Sequence, residues 1–252
     1  MFPSRRIATM GGEGVPEWGY SLKFNGTSDY LELPASFEDD SFTIYTWVKM
    51  AESPNADNKI IFDNRDDART GYVLYNGANE EVYCLRMNSN AGNIRTLHID
   101  EGETPGAWTH FSMATGSGSG VDARLRKNGS TYDNSSQGVT TSISGSTSTI
   151  GARNFSSIPE EDVRANFWNS NIAEVAIYSD FHNTTDTPTI YNSGQPFNHK
   201  SHTNLWAWYR MGNGTEQGQG TKIYDMSGNG HHATMAGGMD ETAYVRDNPW
   251  NI

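Results

Sequence analysis

The chain has 252 residues, a formal net charge of −12, 26 glycines, 12% aromatic and 19% charged residues. That length suits one large all-β domain, and the composition is globular and turn-rich, with no apolar run long enough to cross a bilayer, so no membrane is expected as a partner. The acidic balance leaves no cationic surface with which to displace counterions from a phosphate backbone, so no nucleic acid is expected as a partner either.

Residues 1–17, with Arg5, Arg6, Gly11, Gly12, Gly14 and Pro16, have the composition of an N-terminal arm and not of a packed strand. They contain no apolar run of signal-peptide length, so work outside a cell would require another route of release. From residue 18 the chain reads as one sandwich domain running to 252. Ser21–Phe24 and Tyr30–Leu33 form two short alternating strands about the polar turn Asn25–Asp29. Phe42, Ile44, Thr46 and Val48 alternate with Tyr45 and Trp47, which predicts a central strand covered on both sides.

Further strands are expected at Lys59–Phe62, Gly71–Tyr75, Val82–Met87 and Arg95–Ile99, spaced as a meander between Asn, Asp and Gly clusters. Cys84 is the single cysteine, so no intrachain disulfide can form, and its setting beside Val82 and Leu85 is that of a buried small apolar residue. Trp108 and His110 lie two apart on the next strand and take structural roles. Arg124–Lys127 then turns through Asn128-Gly129, the strongest short hairpin signal. Residues 130–148 are Ser/Thr-rich and read as surface loop with one marginal strand, followed by a short strand at Thr149–Ala152.

In the stretch Asn171–Tyr178, Ile172, Glu174, Ala176 and Tyr178 alternate with Ala173, Val175 and Ile177, the pattern of a central strand with two faces. A helical turn ending at Gly194 follows. Leu205–Gly212 is an aromatic strand, and Ile223–Met235 is a tight Asp-Met-Ser-Gly-Asn-Gly loop leading into a short apolar stretch.

The pieces Leu22–Leu31, Phe42–Val48, Gly106–Phe111, Thr149–Ala152 and Asn171–Tyr178 resemble, in order, the strands of laminin-G-like, concanavalin A-type lectin-glucanase domains. That resemblance implies a jelly-roll β-sandwich of two antiparallel sheets. Leu205–Gly212 and Ile223–Met235 resemble the family's opening strands but stand here at the end. A circularly permuted order is therefore expected, with 205–252 pairing back onto the strands at 20–33.

Hydrolases on this sandwich need two carboxylates placed about one glycosidic bond, and the family's alternating acidic signature does not occur. The acidic groups at Glu38–Asp40, Glu101–Glu103 and Glu160–Asp162 are consecutive or loop-like, so no enzyme is expected. Several relatives carry calcium, an ion suited to hard oxygen ligands. Paired chain ends would make Asn25, Asp29, Asp225 and Asn229 its candidate ligands. The pairs His231/His232 and His199/His202 lack a third ligand at fixed spacing and read as exposed loop histidines. Trp206 and Trp208, two apart, are expected on one face as a core stripe. Asn-X-Ser/Thr triplets at Asn25, Asn128, Asn134, Asn154, Asn183 and Asn213 match what chance gives in an asparagine-rich chain.

The motif order looks like that of laminin-G-like proteins of tailed bacteriophages. This implies a non-enzymatic virion structural protein that decorates a capsid or tail surface. Its partners would be other virion proteins or copies of itself, and it would contact host-surface glycans, with the 1–17 arm docking on neighbours. The alternatives are a free, extracellular carbohydrate-binding module or adhesin and, further off, a glycoside hydrolase.

Overall fold

The computed structural model describes residues 19–34, 41–49, 58–66, 70–77, 81–87, 95–99, 105–116, 123–135, 147–154, 165–183, 185–212 and 217–250. The 1–17 arm and the acidic groups at 38–40, 101–103 and 160–162 lie outside these residues.

The first strands are β1 (Ser21–Lys23), β2 (Tyr30–Glu32) and β3 (Phe42–Lys49). Then come β4 (Lys59–Asp63), β5 (Gly71–Asn76), β6 (Val82–Met87) and β7 (Arg95–Ile99), paired consecutively as a meander. β8 (Trp108–Thr115), β9 (Ala123–Lys127), β10 (Ser130–Ser135), β11 (Thr149–Ile150) and β12 (Asn171–Tyr178) follow. After helix α1 (Asp186–Tyr191) come β13 (Leu205–Tyr209), β14 (Gly218–Gln219), β15 (Lys222–Ile223), β16 (Ala233–Ala236) and β17 (Tyr244–Val245).

Among the described residues these strands make two antiparallel sheets. The first runs β10-β9-β8-β3-β12-β1-β17, with β13 sharing one edge of β12 with β1. The second runs β14-β15-β16-β2-β11-β4-β5-β6-β7. The two-layer sandwich expected from the strand pattern is therefore present. Leu31 pairs with Met235 and Leu22 with Tyr244, so the last strands flank the first two.

Between the sheets, Leu22, Leu31, Phe42, Ile44, Val48, Phe62, Leu74, Cys84, Phe111 and Ile172 form one continuous apolar core. Truncating one such side chain, as in Ile172→Ala, would cost about 2–5 kcal/mol through lost contacts and a residual cavity. The first sheet is covered on its outer face as well. There Tyr45, Ala176, Tyr178, Ile190 and Trp208 form a second cluster beneath residues 181–183 and 185–204. This double coverage is why β3 is buried over almost its whole length.

Two strands depart from strict alternation. In β12, Ala173 pairs with Trp47 and Ala176 with Tyr45, so one extra residue is accommodated in between, and Glu174 takes a left-handed φ of 50°. This bulge puts Ile172 on the inner face together with Val175 and Ile177, and not on the face shared by Ala176 and Tyr178. In β13, Ala207 pairs with Ile177 and Leu205 with Tyr178, which makes Trp206 the extra residue. Trp206 packs toward the inner core and Trp208 toward the outer cluster, so the two do not share a face as their spacing implied.

The Asn128-Gly129 hairpin forms with φ of 48° and 76°, the pair of positive values that a two-residue type I′ turn requires. A Cβ on Gly129 would also lie 2.8 Å from the Tyr191 ring, so this glycine lets α1 seat against the hairpin.

Candidate functional site

At one end of the sandwich the β1–β2 turn faces the loop from β16 to β17. In the turn, Asn25 Oδ1 accepts from the backbone N–H groups of Thr27, Ser28 and Asp29 at 2.8–3.1 Å. Asn25 N and Nδ2 in turn donate to the two Asp29 oxygens at 3.0 and 2.8 Å. Asn25 and Asp29 thus lock each other, as an asparagine that bonds its own backbone does in a tight turn.

The facing loop starts with Gly237 and Gly238, both at positive φ. A Cβ on Gly237 would meet the Ser28 carbonyl oxygen, so only glycine lets the two loops come this close. The loop continues as a 3-10 turn, Glu241–Ala243, capped by Asp240, whose Oδ1 accepts from Thr242 N at 2.8 Å and Thr242 Oγ1 at 2.6 Å.

The two loops enclose a groove of about 330 Å³, at the lower end of the size range of small-molecule sites. Buried Phe24 and Met239 supply apolar lining, and Lys23, Asn25, Asp240 and Thr242 supply polar groups around it. The two carboxylates in its wall behave differently. Burial pushes the Asp29 carboxyl above its ordinary value, the bonds from Asn25 and Ser28 oppose this, and the nearby Asp240 charge adds to it. The Thr242 hydrogen bonds hold exposed Asp240 below its ordinary value. The groove therefore offers one ionised acceptor, Asp240, and one ammonium, Lys23, beside the Asn25 amide and Asp29 carboxyl that bond each other within the turn. It suits a hydroxyl-rich ligand with one apolar face.

The other two expected ligands, Asp225 and Asn229, lie elsewhere. Tyr30, next to Asp29, pairs with Ala236, whereas the Asp225 loop enters β16 at Ala233. The two pairs are thus separated by the length of β16, roughly 10 Å at about 3.3 Å per residue. Each Asp225 oxygen already accepts two hydrogen bonds, Oδ1 from the N–H groups of Trp208 and Ser227 and Oδ2 from Ser227 Oγ and His231 N. Asn229 Nδ2 donates to the Leu205 and Trp206 carbonyls. The four residues form two separate turn networks and not a common donor set for calcium. Among the described residues no group of three or more His, Cys, Asp or Glu side chains is arranged to hold a metal ion.

The histidine expectation needs correction in part. His231 stacks on Trp206 with ring centroids 4.1 Å apart, half-buried, whereas His199 is buried against Tyr178 and Trp208. The aromatic strand following α1 has an apolar sheet face to cover, and His199 is drawn down onto it. Sequence reasoning also missed Lys23, Asp240 and Thr242. The consecutive Gly237 and Gly238, which mark a close backbone approach, were the available signal.

The family model described as the concanavalin A-like lectin/glucanases superfamily matches residues 25–187. Among solved structures, a Bacteroides ovatus protein described as a candidate carbohydrate binder superposes with a TM-score of 0.65 at 15% identity, over 86% of this chain and 58% of its own. The chain thus spans 58% of that protein's length. A heptameric SAP-like pentraxin from Limulus polyphemus gives 0.54 at 17% identity, over 71% of this chain and 84% of its own. The ligand-binding domain of botulinum neurotoxin serotype D, solved in complex with N-acetylneuraminic acid, gives 0.50 at 14%, over 69% and 42%. At such identities the likeness is one of fold. No curated protein sequence matches the chain. With the match running from the β1–β2 turn into α1 and both sheets in place, the chain belongs to the concanavalin A-like lectin/glucanase superfamily as a laminin-G-like domain.

Proposed function

We propose that this domain is a non-catalytic carbohydrate-binding module whose ligand, a terminal mono- or disaccharide, sits in the groove between the β1–β2 turn and the β16–β17 loop. The observation that carries this reading is the groove itself, with its apolar Phe24 and Met239 lining and its polar rim of Lys23, Asn25, Asp240 and Thr242. Sugars need that combination of an apolar contact for C–H faces and fixed donors and acceptors for hydroxyls. The net charge of −12 favours neutral glycans over anionic ones. The order of motifs, which resembles that of bacteriophage laminin-G-like proteins, supports a place on a virion surface, assembled with other virion proteins or with copies of itself. Mass spectrometry of purified particles tests that setting.

Glycan-array binding by the wild-type chain, followed by calorimetry, tests the module. Lys23 and Thr242 are exposed, so Lys23→Ala and Thr242→Ala should leave folding intact and weaken binding about tenfold each, the effect of losing one or two hydrogen bonds. Unchanged affinity in both variants would remove the groove from consideration.

A further inference from the structure

A second cluster of ionisable groups lies on the outer face of the first sheet, under residues 179–183 and 185–204. Tyr45 rises from β3, His110 from β8, Tyr178 from β12 and Trp208 from β13, each of them buried. The covering segment binds this face through imidazoles as well as through the Asp180 carbonyl, Thr187 and Ile190. Tyr45 Oη meets His182 Nδ1 at 2.9 Å, and Tyr178 Oη meets His199 Nδ1 at 2.6 Å. Around the Tyr178 ring stand His182, His199 and His202, with centroids at 4.4, 5.8 and 6.1 Å. His110 packs against Tyr45, Trp47 and, from the covering segment, Tyr191, and its Nδ1 is buried without a hydrogen-bond partner.

Two features make this layer separable from the rest. Among the described residues, the inter-sheet core contains none from 179–183 or 185–204. The rings that meet Tyr45 and Tyr178 are also buried, and a buried imidazolium costs far more than a buried neutral imidazole.

The charged groups around the cluster do little to welcome protons. Asp180 and Asp186, within the covering segment, favour charged His182, while His202 and Arg126 of β9 oppose it. Arg126 reaches into the layer and donates to Thr187 Oγ1 at 2.5 Å. His199 faces His110, His202, His182 and Arg210, all of which disfavour its charged form. Glu174, beneath, is engaged by Arg210 at 3.1 Å. Arg124 lies over Phe181 at 5.0 Å.

We propose that the covering segment, residues 179–183 and 185–204, is an acid-released strap: protonation of His110, His182 and His199 detaches it from the first sheet while the two-sheet core stays folded, uncovering the aromatic face of Tyr45, Trp47, Tyr178 and Trp208.

Burial supports the mechanism by holding His110 down at about 3 and by lowering His182 and His199. Opening returns each ring to its ordinary value near 6.5, so closure is fully favoured above that pH and loses stability as pH falls toward the buried values. His110 and His199 each add up to about tenfold per pH unit to the opening constant, and His182 adds to it in the same direction.

Hydrogen exchange with mass-spectrometric readout, from pH 7.5 to 4.0 and corrected for intrinsic exchange, tests the strap in the intact chain. Protection of peptides within 179–204 should fall steeply below pH 6 while β3 and β5 keep theirs. In His110→Phe and, separately, His199→Phe, the slope of that loss should drop by about tenfold per pH unit. Should either variant fail to fold, the other decides the slope. Loss of protection in strap and core together, a strap that stays protected at pH 4.0, or slopes unchanged in the folded variants would overturn the proposal.

Discussion

Arg210 Nε donates to Glu174 Oε1 at 3.1 Å inside the outer layer of the first sheet, where both side chains are almost wholly removed from solvent. Trp208 Nε1 donates to the other Glu174 oxygen at 2.8 Å, so the carboxylate is held from two directions. The bulge that turns Ile172 inward also places Glu174 on the face where Trp208 and Arg210 wait. Because the pair is buried, removing one partner strands the other charge. Glu174→Leu alone should cost about 3–5 kcal/mol, whereas adding Arg210→Met should recover most of that loss. A double-mutant cycle in urea, with unchanged m-values, measures the difference.

His110 provides a pH signature of its own. Its folded value near 3 lies far below the ordinary 6.5, so native stability is complete above pH 6.5 and is lost as pH falls between those two values. At pH 5 this costs about 2 kcal/mol, about 1.4 kcal/mol for each pH unit below 6.5. His110→Phe keeps the aromatic packing and removes the proton-binding group. Its stability relative to wild type should rise by about 2 kcal/mol between pH 7.5 and pH 5. Parallel denaturant titrations at the two pH values give that number directly, and equal differences at both would contradict the buried neutral ring.

Glu174 works with the opposite sign. Burial pushes its carboxyl up to about 7, and the Arg210 charge and the Trp208 and Arg210 hydrogen bonds only partly offset this. A carboxyl raised above its unfolded value stabilises the fold below about pH 4.5, and that contribution is lost as pH rises toward 7. Glu174→Gln, which mimics the neutral carboxyl, should therefore lack the decline that wild type shows between pH 5 and 8. The side-chain carboxyl resonance, followed by carbon NMR, should titrate near neutrality.

How far the chain could be read in advance follows from where its signals are local. The meander β4–β7, the Asn128-Gly129 hairpin and buried Cys84 were legible because alternation, turn chemistry and composition act over a few residues. The two faces of Asn171–Tyr178 were misread at Ile172, since a bulge is invisible to a period-2 rule. Glu174 amid apolar neighbours was the hint that alternation would break there, and Arg210, 36 residues on, was its answer. Trp206 went to the wrong face for the same reason. The groove was half legible: Asn25 and Asp29 announce their own turn, whereas Asp240 and Thr242 come from a loop whose position depends on β16 pairing with β2. Asp225 and Asn229 form an equally good turn motif, and nothing in a turn motif says which other turn it will face.

The approach of those two loops makes the last prediction. Gly237 has φ of 73°, and a Cβ there would fall 1.7 Å from the Ser28 carbonyl oxygen, a backbone atom that cannot swing aside. Gly228, in the Asp225 loop, has φ of 93° with nothing within 4 Å of its Cβ position. Gly228→Ala thus bears only the backbone strain of a left-handed residue, about 1–2 kcal/mol. Gly237→Ala bears that strain and must also push the β1–β2 turn away from the β16–β17 loop, so it should cost clearly more, about 3 kcal/mol or above, and open the groove. Thermal melts rank the two variants. Amide shifts at Asn25, Ser28 and Asp29 should move in Gly237→Ala alone, and equal stabilities with unmoved shifts would mean that the two loops are not in contact.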